Sequence, residues 1–427
     1  MTPSAPQFRS DVGMLAEIRS DPLALLERML AVGEPVLRSR VGPFVQLAVF
    51  DAELARHVLA AKAAQYPRPF IVNRIFRDVS GTNLFTTSRD AWAWRRKALQ
   101  PSFQRGPIDD LAPAVERFIS AEIAQLPAGR LADAQAWLAS VTISVAATAL
   151  FSRTLATTER QQLDGWFRDI ANWTGNTVRT TVPTPKFVPT AANRRVKAAV
   201  RGVRRWLLTL IVERRSRGVG NADVLDMLLS MTDPATNAVL PDERIIDEAM
   251  VMLFAGYETT AAAATWAVVY LGERPDLQAR LAIGEDGLAE RVADETLRLR
   301  PPAWGSVRMA MKGDVLGGYR VRRFTTVLVP IYAIHRHATY WPDPNRFDPD
   351  RFLPDQLKSR PGGAYLPFLV GPRHCIGMRL AVLELRLIVE HLCRRFEIAS
   401  VGPVEADTSL ALRVKGTLAL ALSVRAT

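Results

Sequence analysis

Two stretches of this chain combine residue types and spacings that suit chemistry. The first is Phe368-Leu369-Val370-Gly371-Pro372-Arg373-His374-Cys375-Ile376-Gly377, a glycine-punctuated loop that runs into an apolar segment of helical spacing. A thiol at a helix start ionises readily, because the dipole and the free amides favour the thiolate. With no further Cys or His at metal-ligand spacing it makes a poor zinc site, but a lone thiolate suits the axial position of a haem iron. Gly371 and Gly377 allow close approach on both sides of Cys375, and Arg373 can meet an anion on the same side of the loop. The other cysteine, Cys393, lies late in a helical pattern and reads as a small buried hydrophobe. One helix between the two thiols would hold them roughly 27 Å apart, beyond disulfide reach.

The second stretch is Ala255-Gly256-Tyr257-Glu258-Thr259-Thr260, in the middle of a long apolar run. Gly256 lacks a side chain, so another group can approach the helix. Glu258 and Thr259 set an acid beside an alcohol, and a Thr hydroxyl can bond the preceding turn and loosen the helix. Such a pair can relay protons from solvent. Taken alone, the same residues read as a helix kink with a solvated Glu. Two further spacings carry little by themselves. Glu295 and Arg298 share one helix face at i, i+3, as surface ion pairs commonly do. Trp92 and Arg96 lie one helical turn apart.

Together these segments resemble the cytochrome P-450 superfamily. The Cys375 loop matches every fixed position of that family's haem-binding pattern, Phe-x-x-Gly-x-Arg-x-Cys-x-Gly. Ala255 to Thr259 resembles its oxygen-activation motif, Glu295 to Arg298 its Glu-x-x-Arg, and Pro349-Asp350-Arg351-Phe352 its later Pro-x-Arg-Phe. The resemblance covers most of the chain, from about Trp92 to Cys375 and beyond. It implies a mainly α fold with a small β-rich part near 35–50 and 305–330, a prism-like helical bundle enclosing haem b in a single domain spanning 1–427. It implies Cys375 as axial ligand and Glu258 and Thr259 as proton-delivery residues. Arg373, Arg96 and Arg308 would meet the haem propionates. Trp92 would donate its indole N–H, and Gly256, Phe368 and Gly377 would lie beside the macrocycle. Glu295, Arg298 and Arg351 would form a buried structural charge cluster. Val251, Phe254, Ala255, Ala303, Trp304, Val307, Phe76 and Leu84 would line an apolar substrate cavity.

The elements that must position these residues are partly legible. Asp21-Pro22 before Leu23, Leu25, Leu26 and Leu30 reads as a capped helix. Pro35 to Arg40 and Phe44 to Phe50 read as a hairpin around Val41-Gly42-Pro43. Tyr66 to Arg89, with two prolines and a glycine, reads as a long irregular loop. Trp92 opens a helix that Pro101 closes, and Leu111 to about Trp173 is helical. Pro183, Pro185 and Pro189 form a stiff connector before a basic helix ending near Arg217. From Pro241-Asp242 a helix of some 30 residues, roughly 45 Å, runs to about Leu271. Its apolar middle raises a transmembrane reading, which the central Glu258 opposes.

The chain has 427 residues and a formal net charge of +12, so its surface attracts acidic partners. The arginines between Arg194 and Arg205 alternate with Val196, Val200, Val203 and Leu207. They read as the solvated face of an amphipathic helix rather than a nucleic-acid surface. Two cysteines and a polar, mixed first nineteen residues point to a reducing cytoplasmic setting with no membrane anchor, the soluble bacterial type.

No flavin or iron–sulfur module is expected within the chain. Electrons would then come from a separate ferredoxin or flavodoxin and its NAD(P)H-dependent reductase, docking on a basic face at Arg95, Lys97 and Arg379. The expected activity is insertion of one atom of O2 into a small apolar substrate (terpenoid, polyketide, fatty acid or aromatic) by a monomer. The rivals are peroxide-driven oxidation, coupling or desaturation at the same site, or a haem carrier or sensor without catalysis.

Overall fold

A computed structural model describes residues 2–10, 13–42, 44–180, 186–218, 220 and 223–425. The chain forms two compact units. One comprises Met1–Val72 and Arg291–Cys375, the other Asn73–Glu290 and Ile376–Thr427.

The first unit is built on a four-stranded sheet ordered Val36–Val41, Phe44–Val49, Thr326–Val329, Ser306–Met309. The first two strands form the expected hairpin, with Val36 opposite Val49, although Pro43 of its turn lies outside the described residues. The second and third strands run parallel, Leu47 facing Val327. Side chains alternate across a pleated sheet, and both faces are apolar here. Leu37, Ala48 and Leu328 pack on Leu25, Leu26 and Met29 of the helix Pro22–Leu30. Val36, Leu47, Val49, Val327 and Val329 enter a second core with Val58, Leu59, Ile331, Ile334 and Leu366. Leu369 and Val370 of the Cys375 loop pack against that second core, so the sheet carries the loop.

The second unit is helical around Asp242–Gly272. Acidic Asp242 and Glu243 occupy the first turn, where the dipole favours them. Between Ile245 and Val269 every residue of this helix is buried except Val251, Phe254, Ala255, Gly256 and Thr259. The basic helix Ala191–Arg217 buries Val196, Val203 and Leu207 and leaves Arg194, Arg195, Arg201 and Arg205 exposed, the division its periodicity predicts. Among the described residues, one helix is long and apolar enough to cross a membrane. It is Ala134–Phe151 rather than the long central one, and 67% of it is buried in the protein.

The structure corrects three expectations. Tyr66 to Arg89 is not wholly irregular, for it holds the helix Phe70–Ser80, which buries Ile75 and Val79 one turn apart. Pro69 lies just before that helix and Gly81, at φ +72°, just after it. The residues that suggested disorder are therefore its start and stop signals. Leu111 to Trp173 is not one helical run, because the strand Gly129–Leu131 interrupts it by pairing with Leu420–Val424. The helix bearing Trp92 starts earlier, at Arg89. Pro183 and Pro185 lie outside the described residues.

Candidate active site

In the first unit the site begins with a tight loop. The Cys375 N–H donates to the Phe368 carbonyl (2.9 Å) and the His374 N–H to Gly371 (3.1 Å). Leu369 adopts φ +60° and Gly371 φ +79°. A side chain at Gly371 would place its Cβ 2.4 Å from the Leu59 carbonyl oxygen, so only glycine fits there. Gly371→Ala is expected to lower the unfolding free energy by about 1–3 kcal/mol and to reduce cofactor retention. Denaturant titration and absorbance after gel filtration measure the two effects. The loop leaves Cys375 exposed, whereas Cys393 is fully buried and its thiol is pushed up to about 12 by desolvation. Gly377 caps the following helix, Met378–Arg395.

The approach to this loop is fixed by the charge cluster. Glu295 accepts two bonds from Arg298, at 2.6 and 2.8 Å, one from Arg351 Nε at 3.3 Å, and one from the Asp348 backbone N–H at 2.8 Å. Glu295 and Arg298 have no exposed side-chain surface. The Arg298 guanidinium also donates to the carbonyls of His335, Pro344 and Arg346, so this buried pair is satisfied on every side. The cluster reaches the loop through His335. Its Nδ1–H donates to the Arg298 carbonyl (3.0 Å), and its Nε2 accepts from the Leu366 N–H (2.7 Å), two residues before Phe368. Burial drives the His335 pKa down to about 3, so the ring stays neutral and keeps both bonds.

Three arginines gather in the same unit. Arg308 is buried on the strand Ser306–Met309 and donates to the Ser306 hydroxyl (2.7 Å). Burial brings its pKa down to about 10. Arg373 belongs to the Cys375 loop. The third is Arg68, which sequence reasoning missed. Burial, reinforced by the positive charges of Arg308 and Arg373, holds its guanidinium well below the usual arginine range. Arg68 sits between Pro67 and Pro69, and the Pro67 carbonyl accepts from the Met309 N–H (2.8 Å). The one local signal was an arginine held rigid by two prolines, which the turn chemistry of the prolines obscured.

In the second unit, Val251, Phe254, Ala255, Gly256 and Thr259 form the single less-buried stripe of the central helix. The Thr259 hydroxyl donates to the Ala255 carbonyl and that of Thr260 to Gly256, each at 2.9 Å, placing two side-chain donors in one helical turn. Glu258 is buried on another side of the helix. Its carboxylate lies 3.5 Å from Arg413, and burial raises its pKa, favouring the protonated form. Acid and alcohol are thus adjacent in sequence but face different surroundings. A Cβ on Gly256 would meet only Ala146, at 3.6 Å, so the protein itself does not require glycine there. Arg96 is buried, 3.4 Å from the Gln100 side chain, and Trp92 is half-buried.

The expected cavity residues divide. Val251, Phe254 and Leu84 pack against the core of the second unit, with the Phe254 ring 5.4 Å from Phe167. Phe76, on the Phe70–Ser80 helix, meets Phe85 at 4.7 Å. In the first unit Ala303 is exposed and Val307 half-buried, while Trp304 packs on the core beneath Leu25 and Met29. Trp304 is therefore held by that core. The basic docking face is also corrected. Arg95 is buried, paired with Glu248 at 2.8 Å, because its helix turns it inward; Lys97 and Arg379 are exposed.

The donor set fits a haem. It offers one exposed thiol on a rigid loop and three converging guanidiniums suited to two carboxylate arms. No group of three His, Cys, Asp or Glu that could cage a metal ion occurs among the described residues. Comparison with known proteins agrees. A profile of the family Cytochrome P450 matches residues 3–283 and 287–417. Cyclooctatin synthase of Streptomyces melanosporofaciens is 31% identical, covering 89% of this chain and 86% of its own. Cyclooctat-9-en-7-ol 5-monooxygenase of the same organism is 30% identical over 94% and 90%. The crystal structure of CYP175A1 from Thermus thermophilus superposes with a TM-score of 0.82 at 26% identity, covering 98% of this chain and 99% of that one. The chain belongs to the cytochrome P450 family. It is a monooxygenase of that family, whose members bind haem.

Proposed function

We propose that the chain, acting as one domain across 1–427, binds haem b and hydroxylates or epoxidises an alicyclic, terpenoid-type substrate. The carrying observation is the Cys375 loop: an exposed thiol on a strained, sheet-backed turn, with Arg373 two residues away. Haem, when bound, supplies the iron at which O2 is reduced. Cys375 would hold the haem iron through its thiolate, and the charge cluster, acting through His335 and Leu366, would keep the loop in place. Arg308, Arg373 and Arg68 would neutralise the propionates, and Arg96 and Trp92 are further candidate contacts. Phe368, Gly377 and Gly256 would give the macrocycle room.

Glu258, whose pKa burial raises, is the candidate proton carrier, and Thr259 presents a hydroxyl on the open stripe of its helix. Val251, Ala255 and Leu84 contribute apolar surface for substrate, with Phe254, Phe76, Ala303 and Val307. The relatives' names favour a cyclic hydrocarbon skeleton, since one acts on cyclooctat-9-en-7-ol. Electrons come from a separate ferredoxin or flavodoxin with its NAD(P)H-dependent reductase, for which Lys97 and Arg379 remain candidate contacts. The enzyme works as a cytoplasmic monomer.

Titrating cyclic terpene alkenes and alcohols into the purified haem protein tests the substrate class. A high-spin shift in the haem absorbance is expected for these and not for free fatty acids; the reverse pattern would overturn it. Thr259→Ala is expected to leave the haem spectrum intact while electrons divert to hydrogen peroxide. Product per NAD(P)H is then expected to fall by about 100-fold or more, the lower end of what a positioned proton donor contributes. Unchanged coupling would remove Thr259 from proton delivery.

A further inference from the structure

Near the start of the central helix two adjacent carboxylates, outside the machinery described above, converge on one short segment. Asp247 and Glu248 have side-chain exposures of 4% and 1%. Asp247 accepts from the Thr82 backbone N–H (2.8 Å), from Arg204 of the basic helix (2.5 Å) and from Arg244 (3.2 Å). Glu248 accepts from the Leu84 backbone N–H (2.8 Å) and from Arg95 (2.8 Å). A second observation is independent of those bonds: a Cβ on Gly81 would fall 2.2 Å from the Asp247 carboxyl carbon, so the segment is glycine where the acid seats against it.

The segment is also tied to itself. The buried Asn83 side chain accepts from the N–H groups of Phe85 and Thr86 and donates to the Ser80 carbonyl, and the Thr86 hydroxyl donates to the Gly81 carbonyl. Residues 81–87 are therefore a knit turn docked at two points, not a slack connector. Two buried carboxylates would be costly here unless their bonds were all made.

We propose that Asp247 and Glu248 are positioning residues that clamp residues 81–87 and thereby set the affinity of the site for bulky apolar ligands. The inference rests on the monooxygenase reading, in which Leu84 and Phe76, whose ring meets Phe85 of the segment, border the substrate. A clamped segment needs no further ordering when ligand arrives, so ligand binds more tightly than to a loose one. Asp247, Arg95, Arg204 and Arg244 are the charged groups that hold this corner together.

Two measurements on the haem-loaded enzyme separate the clamp from the reading beneath it. Amide hydrogen exchange at Thr82 and Leu84 reports the clamp in the absence of any ligand. Absorbance titration with imidazole and with 4-phenylimidazole compares a small iron ligand with a bulky apolar one. In Glu248→Ala, Leu84 exchange is expected to accelerate by about tenfold or more. Phenylimidazole should weaken by about tenfold while imidazole changes by less than about twofold. Glu248→Gln retains an acceptor for the Leu84 N–H and is expected to show the same pattern at about a third of the size, so the test survives if the Ala variant does not fold. Unchanged exchange at Leu84 overturns the clamp. Faster exchange with both azoles weakened alike, or neither, overturns its role in ligand affinity. If the wild-type protein shows no azole shift, the haem reading fails, and the exchange arm still decides the clamp.

Discussion

Cys375→Ser is expected to abolish the strongly red-shifted Soret band of the reduced, carbon monoxide-treated enzyme. The loop is expected to survive the change, because the N–H of residue 375 can still reach Phe368 and Leu369 and Val370 can still pack beneath it. Serine is close in size to cysteine, so the fold and the arginine cluster persist. A neutral hydroxyl does not supply thiolate electron density, so the spectral signature and turnover separate from haem content. Loss of an outer-shell metal partner costs roughly 10–100-fold in affinity or activity, and an axial ligand is expected to cost at least the upper figure. Haem content by pyridine haemochrome, the carbon monoxide difference spectrum and product formation measure the three separately. A variant retaining the red-shifted band would show that the iron is held elsewhere, and the functional proposal would fall with it.

The second large effect belongs to Glu295, far from any chemistry. Glu295→Ala deletes the acceptor of two bonds from Arg298, one from Arg351 and one from the Asp348 N–H. Two guanidiniums stay behind with side-chain exposures of 0% and 9%, their charge no longer compensated. Breaking a buried pair from one side costs about 3–5 kcal/mol, a large part of the roughly 5–15 kcal/mol that holds a typical domain.

The damage should also travel. Arg298 holds the His335 carbonyl, and the His335 ring holds Leu366 ahead of the cysteine loop. Haem loss is therefore expected at denaturant concentrations below those that melt the helical unit, which circular dichroism and Soret absorbance followed together resolve. Glu295→Gln keeps an acceptor and should cost less. An unfolding free energy for Glu295→Ala within about 1 kcal/mol of wild type would mean that the cluster is not what holds the loop.

Local pattern carried the site further than it carried the fold. The loop cysteine, its flanking glycines, the acid–alcohol pair and the charge cluster all lie in short motifs whose spacing survives in one dimension. The amphipathic basic helix and the long central helix were legible for the same reason, since a period of 3.6 repeats along the chain. Arg68 was not legible, because nothing in Pro67-Arg68-Pro69 says that Arg308 and Arg373, some 240 and 305 positions later, gather around it. The strand Gly129–Leu131 was missed because its partner is the strand Leu420–Val424. Arg95 was misread as a docking residue because its partner, Glu248, lies 153 positions away.

By itself, then, the sequence determined which atoms are offered: one thiol in a glycine-punctuated loop, an acid next to an alcohol, and an excess of arginine. Those are properties of residue type and near-neighbour spacing, which covalent geometry conveys directly. Only the tertiary structure decided which charges meet. It buried Glu258 beside Arg413 while leaving Thr259 on the open stripe, brought Arg68 to Arg308 and Arg373, and turned Arg95 away from solvent onto Glu248. Coulomb interactions and desolvation depend on distance through space rather than along the chain, so no reading of neighbours could have supplied them.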